Sequence, residues 1–307
     1  MDPIELIQQG KIKRYFRATR KLTAPNLVSH ITQRAAGKEP LFIEDGDYLF
    51  MIYLLKEITQ SYSLKIYSFC LMPNHLHLLA SPTEDNLSDA MRDLFSRYAM
   101  KFNKKYERKG HLFGGPYRQA VCMDDTYLLT ASLYIHLNPV KAGITEDPFK
   151  YRWSSCGLFC EPAVSKAFVK PDFILRLLAG RGKNEKEIYS EMLKRGTQLK
   201  QGNVMEKEDS IEHFRKKLAT LFPDLFRSAS KKKEIAKVAG IEILSWEELE
   251  ELLEDLRTGG RNGKPTDREA KKYLIEQLIA RGYKKAEIAE KLEVSIKTIY
   301  NILKSTQ

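Results

Sequence analysis

Two histidines, His75 and His77, stand one residue apart in "PNHLHLLA", residues 73 to 80, a stretch that is otherwise apolar. On a strand successive side chains point to opposite faces, so His75, His77 and Leu79 share one face while Leu76 and Leu78 share the other. The leucines are expected in a core and the histidines are expected to look outward together. Two imidazoles so placed form a bidentate grip for a divalent cation. The plain alternative is a half-exposed strand whose polar face carries histidine, in a chain with six histidines in all.

A metal needs more ligands, and the segment 124 to 138 can supply them if it is helical. Tyr134 and Asn138 are four residues apart and so lie on one helical face, whereas His136 falls at i+2 and points elsewhere. If that helix crosses the histidine strand, Asn138 offers a carbonyl oxygen and Tyr134 a phenol beside the metal. Tyrosine is a poor nucleophile at neutral pH, but a metal that polarises the target and a nearby base make it usable. The plain alternative is a core tyrosine. Tyr98, Tyr106 and Tyr117 are rival nucleophiles: Tyr98 sits in an apolar stripe, and Tyr106 and Tyr117 have no metal-ligand type at i+4.

The elements that must position these residues alternate in type over the first 160 residues. "NLVSHITQRA" (26 to 35), "LKIYSFCLM" (64 to 72), "HLHLLASP" (75 to 82) and the end of "HLFGGPYRQAVCM" (111 to 123) read as strands. Residues 47 to 62 have helical length and spacing. Residues 86 to 110 form an amphipathic helix with Leu87, Met91, Leu94, Phe95, Tyr98 and Phe102 as its apolar stripe and Gly110 at its end. "DDTYLLTASLYIHLNPVKAGI" starts on capping aspartates and is expected to be helical until Pro139. The order βαββαβα predicts an α+β layer, one antiparallel sheet with helices packed on it, followed by an all-α C-terminal region. The expected domains are 1–160, a helical connecting region 161–256, a glycine-rich linker 257–266 and a small helical domain 267–307.

Composition narrows the partners. Lys and Arg number 51 against 40 Asp and Glu, a net charge of +11, which favours a polyanion. Arg97, Lys101, Lys104, Lys105 and Arg108 follow helical spacing on the side away from the apolar stripe, a band able to neutralise phosphates or simply a solvated face. No apolar run approaches the ~20 residues of a membrane helix, and "MDPIELIQQGKIKRYF" lacks the apolar core of a signal peptide, so a cytoplasmic protein without a membrane partner is expected. Of the four cysteines only Cys156 and Cys160 are close in sequence, and without a second pair at zinc-site spacing they read as small hydrophobes.

Taken together, "YSFCLMPNHLHLLA", "RKGHLFGGPYRQ" and above all "YIHLNPVKAG" resemble the REP-associated tyrosine transposases, members of the HUH class of single-tyrosine transposases of single-stranded DNA. The resemblance covers about residues 24 to 160. It implies a ferredoxin-like core, Mg²⁺ or Mn²⁺ held by His75 and His77, Asn138 as third ligand and Tyr134 as nucleophile. It also implies single-stranded and hairpin DNA as substrate, contacted by the basic band and Arg118. One departure is Pro116, where the family usually has arginine, which bears on local DNA contacts. A histidine-triad nucleotide hydrolase would want histidine where Leu79 stands. A non-catalytic DNA-binding regulator that kept the fold is the reading from a different class, and the sequence leaves both a monomer and a homodimer open.

At the C-terminus, "KKAEIAEKLEVSIKTIYNILK" resembles a helix-turn-helix. Ile288, Ala289 and Leu292 suit a packed first helix, Glu293 and Val294 the turn, and Ser295 the cap of a second helix. Ile296, Ile299 and Ile302 are expected to face inward. Lys297, Thr298, Tyr300 and Asn301 then face outward, where such motifs reach the base edges of duplex DNA.

Overall fold

The computed structural model describes residues 25–161 apart from Lys38 and Met123, 167–180, 184–199 and 210–235 apart from residue 233. It also describes Tyr15–Phe16, 285–304, and Lys271, Lys272, Leu274, Ile275 and Leu278. Residues 17–240 make one compact unit; residues 1–16 and 241–307 make the other.

The larger unit opens with β1 (Ser29–Arg34), α1 (Asp45–Ser61), β2 (Leu64–Met72), β3 (His75–Pro82), α2 (Leu87–Lys105), β4 (Arg118–Val121) and α3 (Asp125–Lys141). The four strands lie in the order β4-β1-β3-β2, each antiparallel to its neighbours. A βαββαβ chain with that strand order is the ferredoxin-like arrangement, and the α+β class expected from the sequence is the one observed. Alternation along the strands divides the sheet's faces. Ile31, Ile66, Phe69, Leu71, Leu76, Leu78 and Ala80 join the apolar stripes of α1 and α2 in one core. The opposite face carries the histidines and receives α3.

Two helix ends differ from expectation. α2 stops at Lys105, not Gly110, because Glu107 adopts φ 49° and the Arg108 amide turns back to the Asn103 carbonyl. α3 runs past Pro139 to Lys141. Proline removes one N–H from the helix, but here it stands within the last turn, where the Ala142 amide still reaches Asn138 and the Ile144 amide reaches the Pro139 carbonyl.

α3 is buried along its length from Asp125 to Pro139, as its sequence, apolar on all sides, requires. The sheet covers one side. The other is covered by helices that follow it: α4 (Cys156–Cys160), α5 (Asp172–Leu175), α6 (Glu185–Thr197), α7 (Ser210–Leu221) and α8 (Pro223–Ser230), of which α5, α6, α7 and α8 pack directly on α3. The boundary expected at 160 therefore does not separate compact units. The N-terminal end of α3 ties this layer down. Asp124 caps the helix by accepting from the Tyr127 amide at 2.7 Å and pairs with Arg215 of α7 at 3.2 Å. The buried Asp125 carboxylate accepts from the amides of Glu234 and Ile235 at 2.7 and 2.8 Å.

The smaller unit contains α9 (Lys285–Lys291) and α10 (Ile296–Lys304), joined by a turn in which Glu293 has φ 53°. Ser295 caps α10 by accepting from the Thr298 amide at 3.1 Å. Leu274, Ile275, Leu278, Ile288, Ala289, Ile299 and Ile302 form its core. Ile296 is 48 % exposed instead of inward, because it stands at the first position of α10, before that helix meets α9. Lys297, Tyr300 and Asn301 are exposed as expected, and Thr298 is half-buried. The last part of the expected helical connecting region, from 236 to 256, and the linker at 257–266 lie outside the described residues.

Close approach of α6 to α3 depends on Gly196, where an added Cβ would meet Leu137 Cδ1 at 2.7 Å, and Leu137 is itself fully buried. Overpacking of this kind costs ~1–3 kcal/mol, against up to ~1 kcal/mol gained from alanine's helix propensity. Gly196→Ala is expected to lower stability by about 1 kcal/mol net in urea unfolding, whereas an unchanged midpoint would show that Leu137 can shift freely.

Candidate active site

Strand register builds the histidine face. Thr32 lies opposite His77 and Arg34 opposite His75 across β1 and β3, and Arg118 lies opposite Thr32 across β1 and β4. His30, Thr32 and Arg34 therefore share a face with His75 and His77. This face does not look outward: α3 closes over it and leaves His77 only 6 % exposed. The alternation was sound, but a helix without a solvent face had to be covered by something, and the sheet is one of its covers.

Both imidazoles are held by the Nδ1 edge. His75 Nδ1 lies 2.7 Å from Asn74 Oδ1. His77 Nδ1 lies 2.9 Å from His30 Nε2 and 3.3 Å from Thr32 Oγ1. The His75 and His77 ring centroids are 5.0 Å apart at 85°, and His30 stacks on His77 at 5.1 Å. Burial holds His77 well below its ordinary pKa, with charge on His75, His30 and Arg34 adding to the effect, and pulls His30 to about 4. Neutral imidazole is the form that ligates metals, and a second partner on the far ring nitrogen is how ligating histidines are usually oriented. A His77 that offers Nε2 keeps its proton on Nδ1 and donates it to His30.

α3 brings Tyr134 to this pair. Its ring centroid is 5.9 Å from that of His77 at 87°, and 6.3 Å from that of His30. One turn on, Asn138 is buried, and its Nδ2 donates to the Tyr134 carbonyl at 3.0 Å, which leaves Oδ1 as the amide's remaining donor atom for a cation. Among the described residues no three His, Cys, Asp or Glu gather as a metal site, so a cation here would draw on the Asn138 amide beside the two imidazoles. That set of two nitrogens and one oxygen, on neutral groups, fits a divalent cation that keeps open positions for phosphate oxygens, and suits Mn²⁺ better than the oxygen-preferring Mg²⁺.

The rival tyrosines lie elsewhere. The Tyr98 hydroxyl donates to the Leu41 carbonyl, Tyr106 donates to Asp47, and Tyr117 is 3.4 Å from Ser88, all on the α1–α2 side of the sheet. The basic band of α2 is on that side too. Arg97 pairs with Glu57 and Asp93, Lys105 with Glu44 and Asp47, and Arg108 with Glu39. Lys101 sits over the Phe50 ring, and Lys104 is exposed. Arg118 is exposed and shares the histidine face.

Sequence reasoning missed His30, Arg34, Lys141 and Phe214. His30 and Arg34 could have been placed on one face of "SHITQR" by alternation, but their pairing with β3 depends on register. The Lys141 ammonium is fully covered although its stem is partly exposed; it lies 4.9 Å from the Tyr134 ring centroid and 3.8 Å from that of Phe214 on α7.

Residues 23–138, which hold both histidines, Tyr134 and Asn138, match the family model described as Transposase IS200 like. A solved structure described as a REP-associated tyrosine transposase bound to a REP hairpin is similar over 46 % of this chain and 82 % of that one, at 13 % identity and TM-score 0.40. No curated protein matches the chain. Most of the chain lies outside the family match.

His136 does point away from the site. Its Nδ1 lies 2.8 Å from the Tyr189 hydroxyl of α6 and its Nε2 2.9 Å from the Ser155 hydroxyl, which also accepts from the Phe69 amide of β2. The ring thereby bolts α3 to the sheet and to α6, and burial pulls its pKa down to about 3. The unfolded chain protonates this histidine near pH 6.5 while the folded one does not, so stability falls as pH drops from about 6.5 towards 3. Urea unfolding between pH 7 and 4.5 should show that decline, and His136→Gln should remove about one proton's worth of the slope. An unchanged slope would place the acid sensitivity in other groups.

Proposed function

We propose that the protein is a metal-dependent transposase that nicks and rejoins single-stranded hairpin DNA through a 5′-phosphotyrosine on Tyr134. The observation that carries this reading is the approach of the Tyr134 ring to within 5.9 Å of His77, which burial keeps neutral and whose ring lies 5.0 Å from that of His75, inside the segment that matches the IS200-like transposase family. His75, His77 and Asn138 would hold Mg²⁺ or Mn²⁺. When bound, such an ion offsets charge on the non-bridging phosphate oxygens and orients the phosphate.

The chain's own groups do the rest. Tyr134 Oη forms a bond to phosphorus as the bond to the departing 3′ oxygen breaks; the phenol's proton leaves, and the 3′ oxygen ends as a free hydroxyl. One phosphodiester is exchanged for another, so a 3′-OH from a second strand end can reverse the step without ATP. The depth of Tyr134, only 3 % exposed, keeps water from competing for the linkage. Arg118 on the histidine face, Arg97, Lys101, Lys104 and Lys105 on α2, and Arg108 just beyond its end would contact backbone phosphates. α9 and α10 would act as a helix-turn-helix on duplex DNA beside the target, with Lys297, Thr298, Tyr300 and Asn301 towards the bases.

Incubation with labelled hairpin oligonucleotides and Mn²⁺ should give a protein–DNA adduct that survives a denaturing gel and is absent with a chelator. Tyr134→Phe should abolish it, and His75→Ala or His77→Ala should slow it by about 100-fold or more with hairpin affinity kept. Asn138→Ala should raise the Mn²⁺ concentration needed. An adduct that survives Tyr134→Phe moves the nucleophile to another tyrosine; hairpin binding with no adduct at all favours a non-catalytic regulator.

The C-terminal reading has its own test. Asn301→Ala and Lys297→Ala should each weaken duplex binding by ~1–3 kcal/mol, with the lysine change also flattening the salt dependence, and neither should alter hairpin nicking. Equal duplex affinity at one salt concentration would remove these residues from the interface.

A further inference from the structure

Lys141 ends α3 two turns after Tyr134, so on a helix of 3.6 residues per turn the two side chains share a face with Asn138 between them. Its ammonium is enclosed by the rings of Tyr134 and Phe214, and no hydrogen-bond acceptor reaches it among the described residues. Burial, with the positive charge of Lys217 on α7 adding to it, pulls the Lys141 pKa down to about 7. Enclosing a cation without a counter-anion is unfavourable, and a methionine of similar length would fill the same space at no such cost. Cation–ring contact offsets only part of the lost hydration. An arrangement of this kind is half of an ion pair, and the missing half is an anion. The anion that must come within reach of Tyr134 in the proposed reaction is the phosphodiester, and after attack it is joined to the tyrosine's own oxygen.

We propose that Lys141 is the phosphate-holding cation of this site, pairing with the phosphodiester that Tyr134 attacks and then with the phosphotyrosyl group, while Phe214 screens the pair from water. The inference rests on the transposase reading above. It adds a role for a residue outside the IS200-like segment, which ends at 138, and for α7, which lies well beyond it. The flexible four-carbon stem lets the ammonium follow the phosphate from its place over the ring to the phosphoryl oxygens.

The test compares two linkages in the full-length protein with Mn²⁺: a hairpin oligonucleotide with a natural scissile phosphate, and one in which that phosphate is replaced by an uncharged methylphosphonate. On the natural linkage, Lys141→Met should slow adduct formation by about 100-fold at saturating DNA, and Lys141→Arg should recover at least a tenth of the wild-type rate. On the methylphosphonate, wild type and Lys141→Met should differ by less than about threefold, because the charge that Lys141 serves is gone. Each protein's ratio of rates on the two linkages is independent of its folded fraction, so a partly unfolded variant still reports, and Lys141→Gln provides a second neutral replacement. A Lys141→Met protein that forms adduct at the wild-type rate overturns the proposal, and so does an equal loss on both linkages, which would mark Lys141 as packing only. In both cases the wild-type adduct persists and the transposase reading stands; a wild-type protein that forms no adduct on the natural linkage overturns that reading and this one together.

Discussion

α3 has no side that water can wet, and the architecture of residues 17–240 follows from that constraint. A 17-residue helix buried from Asp125 to Pro139 must be enclosed by two layers. The sheet supplies one, and the helices from 156 to 230 supply the other. Every polar group on α3 must then find a partner inside the protein, and the partners observed are the ones that fix the helix in place. Asp124 and Asp125 anchor its start to Arg215 and to the amides of 234 and 235. Ser132 and His136 share the Tyr189 hydroxyl, and His136 reaches Ser155 at the edge of the sheet. These contacts set the rotation and height of α3 over β2 and β3, and with them the position of Tyr134 over the histidines.

The same burial sets the electrostatics of the site. Removing imidazoles from water favours their neutral form, and His30 and His77 are both shifted in that direction. A neutral His77 can offer its Nε2 lone pair to a cation, whereas a protonated one would repel it. Burial costs Lys141 as well, and there no compensating partner is present among the described residues. Groups of opposite charge preference, histidines that lose protons readily and a lysine short of an anion, thus flank one tyrosine. That is the electrostatic layout the proposed reading asks for, since a phosphate would meet both a cation and neutral imidazoles there.

Much of this was legible in the sequence. The βαββαβα order followed from β-rich runs, helical lengths and turn signals, even though β2, β3 and α3 are buried on nearly every side. His75 and His77, Tyr134 and Asn138 could be grouped in pairs because i+2 on a strand and i+4 on a helix are local geometry. What could not be read was set by non-local packing. His30 meets His77 only through the register of β1 on β3, and the burial of the histidine face only through the placement of α3. Arg97, Lys101, Lys104 and Lys105 follow helical spacing as read, whereas Arg108 lies beyond the end of α2, and spacing cannot show that Glu39, Glu44, Asp47 and Glu57 fold back to pair with Arg97, Lys105 and Arg108. The covalent restriction at Pro139 was correctly identified and wrongly weighed, since a proline in the last turn has little helix left to break.

The IS200-like segment ends at residue 138, but the physical site does not. Phe214 touches both Tyr134 and Lys141, and the residue next to it, Arg215, pairs with the cap of the helix that carries them. α7 therefore closes the tyrosine's surroundings with one side chain and holds α3 with the next. A fragment cut at 138 or at 160 would keep the histidines, the tyrosine and the asparagine, yet would expose the outer side of an all-round apolar helix; the shorter would lose Lys141 and the longer would open its enclosure. The unit that can position this chemistry is the compact body of residues 17–240, and the helices after 160 belong to the site as much as the strands do.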